Sequence, residues 1–227
     1  MKPILWFIIS VATLLTACNA LTSSAETPPS KMEDRVLIPA GSFMAGPPDS
    51  TVARGVPAFY IDRFEVTQEQ YLRVMGNNLS FFKGKDHPVE NVTWDDANLF
   101  CKRSGQRLPT EWEWEKAAKA GTATRYHWGD AMDQSFAWHK GNSNKQTHPV
   151  GSKKPNGFGL YDMAGNVWEW TVSDHDAGGK VLRGGSWRNS QTSLRSALRI
   201  MSLPLFKYHY VGFRCAQSVM ADPRLTK

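Results

Sequence analysis

The stretch PNGFGLYDMAGNVWEW, residues Pro155 to Trp170, suits neither a plain helix nor a plain strand. Its glycines and Asn residues supply turns with positive φ. Phe158, Tyr161, Trp168 and Trp170 bring more apolar area than a surface loop carries. A loop both turned and buried must pair its backbone carbonyls. Asp162 and Glu169 sit beside carbonyls freed by those turns and are hard oxygen ligands of the kind calcium takes. The spacing is not that of an EF-hand loop. The same residues also describe a buried aromatic loop in which Glu169 simply accepts N–H bonds, and both readings stay open at this point.

Outward from this loop, 227 residues make one domain with a core of useful size. Nine Trp and 18 Gly together point to an irregular, loop-rich fold with an aromatic interior. The net charge of +6 is spread without a basic run or a basic helix face, so no nucleic-acid partner is expected. The histidines are dispersed without a helical metal-ligand pair.

The amino terminus reads as a leader. Lys2 precedes an apolar run from Ile4 to Leu15, too short for a convincing span, and Leu15-Thr16-Ala17-Cys18 resembles a bacterial lipobox. Residues 1–18 are thus a lipoprotein signal peptide with Cys18 as the acylated residue. Two or more acyl chains give stable anchoring. Asn19 in place of Asp favours the outer membrane over the inner, with the protein facing the periplasm. Residues 19–34, rich in Ser, Thr and Pro, form a flexible tether; 35–220 are the domain and 221–227 a tail. Once Cys18 is set aside, Cys101 and Cys215 remain, and an even pair in an oxidising compartment is expected to be bridged.

Along the domain, Val36–Ile38, Gly41–Gly46 and Ala58–Phe64 have strand patterning. Thr67 with Gln70 forms a capping box ahead of a helix that Gly76 or Asn77 stops. A second helix runs from Thr93 to about Arg103, with Trp94, Ala97, Phe100 and Cys101 on one face. Thr110 and Glu113 open a third, which Gly121 ends; Glu111, Glu113 and Glu115 suit its positive end and a solvated face. Asp174-His175-Asp176 reads as a turn before Gly178-Gly179 more readily than as a metal group. Val211–Ala216 reads as a core strand carrying half of the disulfide.

In chain order, the segments IPAGSFMAG (38–46), FYIDRFEVTQEQY (59–71), HPVENVTWDDANLFCKRSGQRLPTEWEWEKAAKAG (87–121), YHWGD (126–130), NGFGLYDMAGNVWEW (156–170), LRGGSW (182–187) and GFRCA (212–216) resemble the sulfatase-modifying-factor family of formylglycine-generating enzymes. The resemblance implies an α+β fold, an irregular C-type-lectin-like scaffold with few helices, a small antiparallel sheet and many loops. It implies that Cys101 pairs with Cys215, and that Asp162, Gly165, Val167 and Glu169 bind a structural calcium, Gly165 and Val167 through carbonyls. Ser186 and Trp168 match residues of the family's oxygen and substrate pocket and are the candidate cleft.

The same comparison removes the family's chemistry. Copper-dependent oxygen activation needs two cysteines shortly after the GGS motif, and Trp187–Arg195 contains none. Ser, Asn and Thr do not replace a thiolate pair for Cu(I), so no copper is expected. Iron is not supported either, since the iron-binding branch draws its histidines from an additional helical domain. The expected function is a binding or regulatory module of the cell envelope that recognises a protein, peptide or envelope glycan; Arg183, Arg188, Arg195, Arg199 and Arg214 are able to flank the cleft, though salt bridging and packing of their stems is the favoured reading. The alternative is a maturation or protein-modifying oxidoreductase with a different ligand set, including His175 or His209.

Overall fold

The structure, a computed structural model, describes residues 34–219. The leader, Cys18, almost all of the tether and the tail 221–227 lie outside the described residues.

The chain opens with β1 (Arg35–Ile38), β2 (Gly41–Ala45), β3 (Val52–Val56) and β4 (Phe59–Asp62). Three helices follow: α1 (Gln68–Met75), α2 (Trp94–Arg103) and α3 (Glu111–Lys119). A long irregular stretch then leads to β5 (Trp168–Asp174), β6 (Lys180–Arg183), a short 3₁₀ turn (Gln191–Leu194), β7 (Arg199–Ser202), β8 (Val211–Gly212) and β9 (Ala216–Ser218). The strands form a sheet ordered β1-β4-β9, a β2–β3 hairpin, and a sheet ordered β7-β6-β5-β8. Pairing is antiparallel except between β5 and β8. Few helices, small sheets and many loops make this the irregular α+β architecture of C-type-lectin-like folds.

Local sequence explains each helix end. Thr67, Thr93 and Thr110 each accept the N–H three residues on, and Gln70, Asp96 and Glu113 each reach back to the Thr N–H. These are capping boxes, each satisfying donors that have no intrahelical partner. Gly76 ends α1 with φ of 78°, where a Cβ would be strained. At α3 it is Ala120, with φ of 47°, that takes the left-handed position, one residue before the expected Gly121.

Period-two burial governs the first sheet. Ile38, Phe59, Ile61 and Ala216 face the core, while Leu37 pairs with Tyr60 on the outer side. The hairpin strand β3 carries no such alternation, Val52 to Gly55 being exposed, which is why its pattern is unreadable in sequence.

Two expectations are corrected. Glu111, Glu113 and Glu115 do not lie on a solvated face, because α3 is enclosed: Arg183 and Arg199 hold Glu111, Arg183 and Lys119 hold Glu115, and Arg107 holds Glu113. Lys116 and Lys119 donate to the carbonyls of Pro39, Gly41, Met44 and Gly46, so the helix's cations fasten β2 and its flanking turns. Nor is Val211–Ala216 one strand. β8 and β9 belong to different sheets, and the chain passes between them at Phe213–Cys215, where the Phe213 and Cys215 carbonyls accept the Val66 and Asp62 N–H groups.

Cys101 on α2 is bonded to Cys215 at that crossing, 114 residues away, and packs with Tyr71, Phe100, Leu108, Trp168, Trp170 and Phe213. A loop of this length contributes about 4–5 kcal/mol in the chain-entropy description. Cys101→Ala/Cys215→Ala should lower the free energy of unfolding by about that amount in a denaturant titration, and non-reducing peptide mapping of the parent chain should recover the linked pair.

Candidate functional site

The loop 155–170 is turned by backbone that side chains rarely adopt. Gly159, Asp162, Gly165 and Asn166 have φ of 77°, 56°, 89° and 54°. Gly165 has no alternative: a Cβ there would lie 2.1 Å from the carbonyl oxygen of Trp138. Asn156 braces the start, donating to the carbonyls of Ala117 and Ala118 and accepting the N–H groups of Phe158 and Leu160. Glu65, between β4 and α1, braces the end by accepting the Val167 N–H at 3.0 Å and the Asn166 amide at 2.6 Å. The loop's last residues, Trp168 to Trp170, are the start of strand β5 and not turn.

Four charges meet beneath the loop. The Arg214 guanidinium grips Glu169 with two bonds, Nη2 to Oε1 at 2.7 Å and Nε to Oε2 at 2.8 Å, and Trp114 Nε1 donates to the same Oε2 at 2.7 Å. Glu65 and Asp162 lie close enough for their charges to repel. Burial first, then the charges of Asp162 and Glu169, push the Glu65 carboxyl well above the usual range. Burial pushes Asp162 up to about 6, against the Gly151 N–H and Arg214. Glu169 alone bonds the guanidinium, whose charge also acts on Glu65 and Asp162.

This geometry tests the expected calcium ligands. Asp162 Oδ2 accepts the Gly151 N–H, but Oδ1 is buried with no hydrogen-bond partner. An orphaned carboxylate oxygen in a cluster with surplus negative charge fits a hard cation. At the other end, both Glu169 oxygens are already engaged by Arg214 and Trp114, so Glu169 can serve a cation only by sharing an oxygen. Among the described residues no group of three or more His, Cys, Asp or Glu is arranged to hold a metal ion; a site of this kind would draw on the backbone carbonyls of Gly165 and Val167.

Ser186 and Trp168 come together, but on a residue the sequence did not single out. Ser186 Oγ and Trp168 Nε1 both donate to Asn189 Oδ1, at 2.5 and 2.9 Å. Ser186 and Trp168 are buried, and neither lines the cavities described below. The motif GGSW followed by an Asn was the only signal, and an Asn three residues past the Ser is too common to stand out.

The arginine set disperses. Arg183 and Arg214 are fully buried in carboxylate pairs, and Arg199 pairs with Glu111 and Asp176. Arg195 donates to the Thr192 carbonyl, and Arg188 lies 4.5 Å from the centre of the Tyr210 ring. Asp174 ends β5, paired to Lys180, and His175 to Gly178 form the turn, with His175 Nδ1 accepting the Ala177 N–H. His209 sits in an aromatic cluster with Phe81, Phe82 and Trp187.

The larger cavity, about 740 Å³, lies elsewhere, between β4, α1 and the end of α2. Asp62 on its wall accepts the Gln106 amide and the Cys215 N–H, and burial pushes its carboxyl up to about 6.

The fold and this core site define a formylglycine-generating-enzyme-like domain. The chain belongs to the family described as the sulfatase-modifying factor enzyme 1-like domain, whose model matches residues 21–219. It is 29% identical over 252 residues to "Chaperone protein LppX" of Paenibacillus barcinonensis, covering 82% of this chain and 89% of that protein. It is 36% identical over 158 residues to "Inactive C-alpha-formylglycine-generating enzyme 2" of Bos taurus, covering 61% of this chain and 52% of that protein, so it spans about half of that relative's length. Among solved structures, Treponema denticola variable protein 1 superposes with a TM-score of 0.74 at 29% identity, over 82% of this chain and 95% of that one.

Glu90 gives the region a measurable pH dependence. Its Oε1 accepts the Phe82 N–H while Oε2 is buried without a hydrogen-bond partner, and burial pushes the carboxyl from 4.5 up to about 7. The folded chain therefore holds this proton to higher pH than the unfolded chain does. Its contribution to stability is complete below 4.5 and is lost as pH rises through about 7. Glu90→Gln, which keeps a carbonyl acceptor for Phe82, should flatten the fall in stability between about pH 5 and about pH 8 by up to ~3 kcal/mol relative to the parent, read from urea titrations across that range.

Proposed function

We propose that this chain is a lipid-anchored, periplasm-facing envelope protein whose formylglycine-generating-enzyme-like domain acts as a binding or regulatory module and not as a copper oxidase. One observation carries the reading: the chain has three cysteines, Cys18 in the leader motif, and Cys101 and Cys215 bonded to each other. No thiol pair is left to hold Cu(I), and Ser186 and Trp168 close on Asn189 with matched hydrogen bonds. The names of the two relatives, a chaperone and an inactive enzyme, support recognition of a partner protein or peptide over catalysis. An envelope glycan is the other ligand class in keeping with such a module. The lipobox at Cys18 supports the anchor, and Asn19 supports the outer membrane.

Protein purified from the periplasmic face and treated briefly with a calcium chelator should contain neither copper nor iron in stoichiometric amount by elemental analysis. One redox metal per chain would instead establish a maturation or protein-modifying oxidoreductase with a different active site.

Calcium belongs to the same proposal as a structural ion. Asp162 Oδ1 is its side-chain anchor, the carbonyls of Gly165 and Val167 complete the approach, and Glu169 shares an oxygen with Arg214. A bound divalent ion would favour the ionised form of Asp162 and of its neighbour Glu65, which burial otherwise opposes. The parent chain should melt several degrees lower in chelator than in calcium, and Asp162→Ala should melt at one temperature in both. A parent chain indifferent to chelator would leave the loop without an ion.

A further inference from the structure

The segment Leu203-Pro204-Leu205-Phe206 is a β-turn, closed by the Phe206 N–H donating to the Leu203 carbonyl at 3.1 Å, with Pro204 in the position that suits its fixed φ. Turn tips are normally polar, filled by Gly, Asn, Asp or Ser. This one is aliphatic and aromatic, and Leu205 is 67% exposed. It is also held rigidly: the Trp94 N–H donates to the Pro204 carbonyl at 2.9 Å, and the Asn91 and Val211 N–H groups both donate to the Tyr208 carbonyl at 3.0 Å. A stiff loop that keeps Leu and Phe in water has no folding reason to do so.

A continuous run of rings links this tip to a second one. Phe206 meets Tyr208, Tyr208 stacks on Tyr210, Tyr210 meets His209, and His209 meets Phe81, with successive centroids 6.1, 5.0, 5.4 and 5.5 Å apart. Phe81, on a different loop, is 69% exposed. The rings between the two tips are half-buried. Beneath the first tip an apolar cavity of about 290 Å³ opens between Ile200, Met201, Leu203, Phe206, Tyr208 and Tyr210.

Cations border this strip. Lys207 follows the turn and is 3.5 Å from Asp96. Lys83, two residues after Phe81, rests its ammonium on the Asn78 carbonyl, and Arg188 lies over the Tyr210 ring. Among the described residues neither of the last two forms a salt bridge with a carboxylate. Glu90, which accepts the Phe82 N–H, is buried, and the exposed Asp86 further along the loop pairs with Lys85.

We propose that this strip is a docking face for the surface of a lipid bilayer carrying anionic headgroups. Aliphatic and Phe tips enter the acyl boundary, Tyr and His rings sit at headgroup level, and Lys and Arg flank them, which is the composition of an interfacial membrane surface. Charge selects the occupant: uncommitted cations beside the rings match a lipid phosphate layer. Reach permits it. The residues between Cys18 and Asp34 span about 50 Å when extended, against a radius of gyration of ~16 Å for a domain of this size, so the strip can meet the bilayer wherever the tether is rooted. The proposal rests on the anchored reading only to bring a bilayer within range.

The test uses the chain from Asn19 onward, made without acyl groups, since every described element lies within residues 34–219. It should co-sediment with vesicles of phosphatidylcholine and phosphatidylglycerol. With phosphatidylcholine alone, partitioning should fall by about fivefold for each basic residue engaged. Leu205→Ser/Phe81→Ser should lower partitioning by at least about tenfold at an unchanged melting temperature, and Lys83→Glu/Arg188→Glu should weaken binding to the anionic vesicles only. Failure to bind either vesicle would overturn the proposal, as would binding indifferent to the Leu205/Phe81 change. So would a dimer in light scattering that this change dissolves, which would make a second copy the occupant. The anchor itself is read separately, from the mass of the mature chain, so the two ideas fail independently.

Discussion

The end of β4, the loop 155–170 and the crossing between the two sheets converge on the Arg214 guanidinium. Nε and Nη2 clasp Glu169; Nη2 also donates to the Tyr161 carbonyl, and Nη1 donates to those of Asp62 and Arg63. One side chain thereby joins the end of β4, the loop 155–170, the start of β5 and the crossing between two sheets. Trp114 adds α3 by its bond to Glu169. A charge this deeply buried is costly to desolvate and is tolerated because its planar fork meets a carboxylate bidentately and finds carbonyls for its remaining donors. Removing one partner of such a pair typically costs about 3–5 kcal/mol, since it strands the other charge. The pair specifies one arrangement of loops that have no ladder to hold them.

A second node repeats the device beside the first, on the strand residue paired with Glu169. Arg183 of β6 bonds Glu111 and Glu115, while Glu115 also takes the Gly46 N–H and Lys119. Helix α3 is therefore charged along its length yet buried, the reverse of an amphipathic helix laid on a core. Its carboxylates fix a strand's arginine and its lysines fix turn carbonyls. Charged side chains do here what extended strand pairing does in more regular proteins: they satisfy backbone and side-chain groups that burial would otherwise leave unmatched.

This division of labour decides what sequence can reveal. Signals spanning three or four residues were legible: the Thr67 and Thr110 capping boxes, the Gly76 stop, the inward face of Cys101, the turn that His175 and Asp176 open before Gly178. The left-handed turns of loop 155–170 were legible in its Gly and Asn content. Partners set by tertiary contact were not. Glu111 and Glu115 look like ordinary helix-start carboxylates until Arg183, 72 and 68 residues on, is placed against them. Arg214 looks like one of five C-terminal arginines until Glu169 is found in its fork. Strand β3 was missed because both its faces are exposed, and Asn189 because its role exists only where Ser186 and Trp168 meet.

The two nodes also account for how such a domain keeps its shape where its outer loops vary. Glu169, Arg214, Trp114 and the disulfide lie in the core, and the bonds of Arg214 and Trp114 to Glu169 use no residue after Gly185 other than Arg214 itself. In the segment after Gly185, Asn189 accepts from Ser186 and Trp168. Residues bordering that segment on the outside, Trp187, Arg188 and His209, instead extend the aromatic strip toward Phe81. A scaffold whose loops are held from within by buried charge leaves its outer loop tips unconstrained by folding. Apolar tips at Leu205 and Phe81 then cost the fold little, and they are free to be shaped by what the surface meets.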